Sequence, residues 1–151
     1  MLPKYHLIFG LIFTLIIYLI FQITPFQVII LFTASYLIDF DHYLFYFLKT
    51  NNISLKNAKN YFLKLKKNFL SLSPKKRKDY KRPILVFHGI EFWIFLIFLS
   101  YLNKIFLFVL IGVMFHMFFD FIEIIYIREP LAIKLSCIYV YLTNKNKKVF
   151  I

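Results

Sequence analysis

Residues 105–127 read IFLFVLIGVMFHMFFDFIEIIYI, and they are closed by Arg128-Glu129-Pro130. A helix needs roughly 20 mostly apolar residues to cross about 30 Å of hydrocarbon, and this run is long enough. The rest of the 151-residue chain has the same character: 61% hydrophobic, 22% aromatic and only 17% charged, with a mean hydropathy of +0.71. Soluble domains average about 45–50% apolar and 25% charged residues. High hydrophobicity excludes a disordered chain, and the single cysteine, Cys137, excludes a disulfide-stapled scaffold. An integral membrane protein of one compact unit remains.

Three further apolar runs lie upstream, at about 5–23, 26–48 and 83–102. The first has a charged start but is too long for a signal peptide and has no small-residue cleavage pattern after it, so it reads as a retained helix. Residues 131–143 hold a shorter apolar run carrying Lys134, whose length fits an interfacial or packed terminal helix. The chain is therefore expected to be an all-α, polytopic membrane four-helix bundle.

Residues 49–82 differ in composition. They hold 12 of the 19 basic residues (Lys49, Lys56, Lys59, Lys64, Lys66, Lys67, Lys75, Lys76, Arg77, Lys78, Lys81 and Arg82) and one acid, Asp79. The positive-inside rule makes this loop cytoplasmic, which puts both termini on the same side of a multi-pass protein in the cell (inner) membrane. Lysines beside helix ends are accounted for by topology and anionic lipid headgroups, which leaves nucleic acid as the weaker partner for this loop. Tyr61, Phe62, Leu65 and Phe69 alternate with Lys64, Lys66 and Lys67, as in a short basic amphipathic helix lying on the membrane.

The polar residues are the informative ones. Five of the seven acids (Asp39, Asp41, Glu91, Asp120 and Glu123) and all four histidines (His6, His42, His88 and His116) lie in or at the apolar runs. An ionisable group in hydrocarbon costs roughly 2.5–3.5 kcal/mol on insertion scales and marks a functional site by default. Counted from the cytoplasmic ends at 1.5 Å per residue, most of these groups share a layer roughly 6–14 Å below the inner surface, with His116 one turn deeper. Gly112, His116, Asp120 and Glu123 form one helical stripe, and His88 and Glu91 are an i, i+3 pair. His6, Gly10 and Thr14 form a second stripe, in which glycine permits close helix approach. Ser35, Asp39 and His42 share a face that turns Asp41 away. Either the helix breaks near Ile38, or Asp41 faces solvent; the break is favoured, since irregular backbone is tolerated where it lines a polar cavity.

Taken singly, His6 or His42 can simply hydrogen-bond a neighbouring helix, and Glu123 can snorkel to the surface. Taken together, carboxylates packed in low dielectric repel one another unless a cation or protons neutralise them. Histidine, Asp and Glu from several helices are the ingredients of a zinc or similar divalent site in a bundle core.

Ile38-Asp39-Phe40-Asp41-His42 resembles the Pro-Asp-x-Asp-His signature of the YdjM-like family of membrane-bound metal-dependent hydrolases. Gly112-x-x-x-His116-x-x-x-Asp120 is similar to that family's Gly-x-x-x-His-x-x-x-Asp helix, and His6-x-x-x-Gly10 and His88 are similar to its N-terminal and central histidines. Ile38 stands in place of the proline, Phe87 and Gly89 replace the Thr and Ser beside the central histidine, and Ile84 stands where the family has an arginine. The resemblance implies a metal-dependent hydrolase. For a divalent ion, zinc first, the ligands expected are Asp39 or Asp41, His88, His116 and Asp120, with His6 and His42 next. A bound ion lowers the pKa of water toward ~7 and makes it a nucleophile. Glu91 or Glu123 would act as general base or orient a ligand. The His-x-x-x-Asp pattern is also similar to that of zinc-dependent phospholipase C and P1-type nucleases, an analogy to phosphoester chemistry.

A site about 10 Å below the inner surface reaches lipid headgroups more readily than bulk solutes, so the expected substrate is a phospholipid or other membrane-embedded ester. The alternatives are an ion or proton transporter, which requires polar residues continuing to the outer side, and a non-catalytic membrane adaptor that docks through the basic loop.

Overall fold

The computed structural model describes residues 3–149, and every named element among them is a helix. In chain order these are α1 (Pro3–Phe21), α2 (Pro25–Leu37), α3 (Phe40–Thr50), α4 (Leu55–Ser71), α5 (Pro74–Arg77), α6 (Ile90–Leu102), α7 (Ile105–Tyr126), α8 (Ala132–Leu135) and α9 (Cys137–Asn144). Two of them, α1 and α7, are long and apolar enough to cross a membrane; α2 and α3, bent by 45° at their junction, make a third if the pair is one span.

The starts and stops follow local chemistry. Thr24 caps α2 in a reciprocal box: its Oγ1 accepts from Gln27 N, and Gln27 Oε1 accepts from Thr24 N. Pro25, whose missing N–H costs nothing there, opens that helix. Ser54 caps α4, and Ser136 caps α9 through a hydrogen bond from Tyr139 N. Asn51 and Arg128 take left-handed backbone, at φ 51° and 58°, where α3 and α7 give way to loops.

Two expected spans take a different form. The run at 26–48 is two helices, because the backbone turns at Ile38–Asp39; this is the break that the facing of Asp41 implies. The run at 83–102 is helical only from Ile90 to Leu102. Pro83 has no N–H to give a helix, and Phe87 N is committed to Asp41 Oδ2 at 3.2 Å. Thirteen residues rise about 20 Å, short of the hydrocarbon thickness. The C-terminal segment is two short helices, α8 and α9, instead of one.

Helix α7 is the centre, with α2, α6 and α1 packed on it. Its buried residues, Leu110, Gly112, Val113, His116, Met117, Asp120 and Ile124, keep helical spacing along one face. Leu110, Val113 and Met117 join Ile38 and Leu96 in the apolar core, with Trp93, Phe106 and Phe121 against them. Helix α1 inverts the usual amphipathic order. His6, Gly10 and Thr14 are buried, while Leu7, Ile8, Leu11, Ile12, Leu15 and Ile16 are exposed. That is the arrangement of a helix whose surroundings are apolar.

Gly112 makes the closest packing possible. A Cβ there would lie 2.6 Å from Leu31 O and 2.9 Å from Ser35 N, both backbone atoms that cannot move without shifting α2. At Gly10 a Cβ would meet only the hydroxyl end of Ser35, at 2.4 Å. Gly112→Ala is expected to cost about 1–3 kcal/mol of stability, as overpacking does, and Gly10→Ala less. Thermal unfolding of detergent-solubilised protein followed by circular dichroism checks the order; an equal loss at both positions contradicts it.

Candidate metal centre

The α2–α3 bend puts Asp39 at the turn, with Asp41 and His42 in the first turn of α3. His6 comes from α1, His88 from the segment ahead of α6, and His116 and Asp120 from α7. All meet at one place. His116 Nε2 lies 3.5 Å from Asp39 Oδ1 and 3.8 Å from Asp120 Oδ2. His88 Nε2 lies 3.6 and 3.4 Å from the same two oxygens. His6 Nε2 is 3.5 Å from Asp120 Oδ1, and His42 Nε2 is 3.7 Å from Asp39 Oδ1. The rings of His6 and His116 stack with centroids 3.9 Å apart.

The tautomers are fixed from behind. His116 Nδ1 is 3.0 Å from the carbonyl oxygen of Ser35, which can only accept, so the ring proton is on Nδ1 and the Nε2 lone pair faces the cluster. His88 Nδ1 donates in the same way to Asp41 Oδ2 at 2.9 Å. Asp41 also accepts from Phe87 N, so one carboxylate oxygen holds both the ring and the backbone beside it. A carboxylate or carbonyl on the far nitrogen of a histidine is the usual support for a metal ligand.

These residues fit a divalent ion. The Nε2 atoms of His6, His88 and His116 are buried and hydrogen-bond to nothing, which is costly for a polar atom unless something completes it. Tetrahedral ligands at about 2.0–2.1 Å from an ion stand about 3.3–3.4 Å from one another, close to the nitrogen–oxygen separations here. Three overlapping triads have this character: His6, Asp39 and His116; Asp39, His42 and His88; His88, His116 and Asp120.

The two glutamates among the candidates are engaged by other groups. Glu91 is turned to the start of α9, where its carboxylate accepts from Ser136 Oγ, Cys137 N and Ile138 N. There it caps the helix. Glu123 pairs with Lys66 of α4. Lys134, which the sequence marked only as a charge in a terminal apolar run, reaches back from α8 so that its Nζ lies 2.7 Å from Asp120 Oδ2. Burial by itself would lower the Lys134 pKa; the carboxylates of Asp120, Asp39 and Asp41 outweigh it and hold the ammonium above its ordinary value. The only sequence signal for Lys134 was that it is the sole charge in that run.

A cavity of about 420 Å³ opens from Asp39, His42 and Asp120 and runs beneath α4, lined mostly by apolar side chains such as Phe62, Phe69 and Ile124. The ring of Phe62 stands edge-on to His42, 5.1 Å between centroids, so α4 roofs the cluster.

Asp41→Asn is expected to lower divalent-metal affinity about 10- to 100-fold, the usual effect of losing such a support, with helix content unchanged; competition against a chromogenic chelator measures it. No family model, no curated protein and no solved structure matches this chain.

Proposed function

We propose that this chain is a membrane-embedded, metal-dependent hydrolase of a phospholipid or other membrane-embedded ester. The observation that carries the proposal is the set of three buried histidine Nε2 atoms with no hydrogen-bond partner, all directed at the carboxylates of Asp39 and Asp120. His88, His116, Asp39 and Asp120 are assigned as the principal ligands, with His6 and His42 flanking them. Asp41 and the Ser35 carbonyl orient the two central rings. Zinc suits a histidine–carboxylate donor set without thiolate. When bound, such an ion lowers the pKa of water and polarises an ester oxygen. Glu123, on the wall of the cavity and paired with Lys66, is the carboxylate assigned to take a proton. The apolar lining suits an acyl-bearing substrate. The lysine-rich composition of residues 49–82 supports a cytoplasmic side of the cell membrane for the termini and the site.

A transporter would need polar groups on both sides of the cluster. Further along α1, Thr14 is the one buried polar side chain, and the buried residues of α7 ahead of His116 are Leu110, Gly112 and Val113. That distribution favours hydrolysis over conduction.

His116→Ala and Asp120→Ala are each expected to lose most of the bound divalent metal while the protein still inserts in the membrane, as elemental analysis of purified protein reads out. Wild-type protein should hydrolyse at least one member of a phospholipid and neutral-lipid panel, stop on chelation and recover on metal addition. Full metal content in both variants defeats the proposal.

A further inference from the structure

Arg77, Glu129 and Arg82 form a second buried charged group, at the loop end of the cavity. Both guanidinium groups share one carboxylate: Arg77 Nη1 lies 3.4 Å from Glu129 Oε1, and Arg82 Nη2 lies 2.7 Å from Glu129 Oε2. Arg77 spends its other donors on backbone carbonyls of Leu70, Leu72 and Ile127, so it is a structural clasp. Arg82 differs. Its Nη2 also donates to Arg77 O at 3.3 Å, but its guanidinium lies 3.9 Å over the ring of Phe69 and its Nε is buried with no hydrogen-bond partner. Arg82, Glu129 and Phe69 line the same cavity as Asp39 and Asp120, and so does Lys134.

The charge count there is unbalanced. The wall carries five cations (Lys59, Lys66, Lys81, Arg82 and Lys134) against four carboxylates (Asp39, Asp120, Glu123 and Glu129). A divalent ion at the histidine cluster adds two positive charges, Asp41 behind the cluster answers one of them, and Arg77 behind the wall competes with Arg82 for Glu129. Leaving a buried guanidinium incompletely paired is costly, and its planar fork matches a phosphate.

We propose that this cavity contains a phosphate subsite at Arg82, so that the ligand is a phosphate ester carrying an apolar chain, the phosphate lying toward Arg82 and the chain along the apolar wall beneath α4. This rests on the hydrolase reading only in taking the ligand to be the substrate; the binding claim stands on the cavity itself. A volume of about 420 Å³ accommodates a headgroup and the first part of a chain.

The test uses metal-loaded protein in detergent micelles, titrated with dioctanoyl phosphatidate, with dioctanoylglycerol (the same chains without phosphate) and with inorganic phosphate. Phosphatidate is expected to bind about ten- to hundredfold more tightly than dioctanoylglycerol, the range of a charge-assisted contact, and Arg82→Gln to erase most of that preference while metal content is unchanged. Arg82→Lys keeps the charge opposite Glu129, so it guards against misfolding, and should lose part of the preference. Equal binding of the two lipids, or an undiminished preference in metal-replete Arg82→Gln, overturns the subsite. If inorganic phosphate competes as well as phosphatidate does, the subsite stands and its source is soluble phosphate. Selective phosphatidate binding without any hydrolysis upholds the subsite and removes the hydrolase reading; hydrolysis indifferent to phosphate does the reverse.

Discussion

Asp39, Asp41 and Asp120 bring three carboxyl groups into a helical core, Asp41 and Asp120 buried and Asp39 at the cavity, and the remaining features of the site compensate for that. Burying a carboxylate costs several kcal/mol unless a cation or hydrogen-bond donors answer it. Asp41 is answered by His88 and a backbone N–H, and Asp120 by Lys134. Asp39 has histidines on three sides at 3.5–3.7 Å. The glycine notch between α2 and α7 and the bend at Ile38–Asp39 bring those partners within reach. Without the bend, α2 and α3 would form one continuous helix and Asp41 would point away from His88.

The cluster also divides the molecule. On one side of it, α1 presents apolar side chains outward and small or polar ones inward, while α2 and α7 bury Leu31, Leu110, Val113 and Met117 beside Ser35, Gly112 and His116. On the other side, basic α4 lies across the cavity, joined to α7 through Lys66 and Glu123 and to α3 through the aromatic contacts of Phe62 with His42 and Tyr61 with Tyr46. The candidate site sits where the apolar body meets the charged cover.

Some of this was legible in the sequence because helical periodicity carries it. The stripe of His116 and Asp120, the inward face of His6, Gly10 and Thr14, and the break implied by Asp41 all follow from 3.6 residues per turn. What periodicity could not reach depends on contacts distant in sequence. Residues 83–89 have the hydropathy of a span, yet Phe87 and His88 are committed to Asp41, 46 and 47 residues earlier. The depth of Glu91 was plausible for a base, but depth does not give direction, and the start of α9 claims its carboxylate. Lys134 and Glu129 were invisible for a related reason: only the left-handed turn at Arg128 sends the chain back over its own cluster.

That return has a consequence for biosynthesis. His6 and Lys134, which meet through Asp120, are 128 positions apart along the chain. During translation and insertion, Asp39, Asp41 and Asp120 enter the bilayer before their ammonium counter-charge exists. The nascent protein must carry them as neutral acids, in contact with water, or around an ion captured from the cell until α8 closes over them, so the site is completed only after α7 has been made.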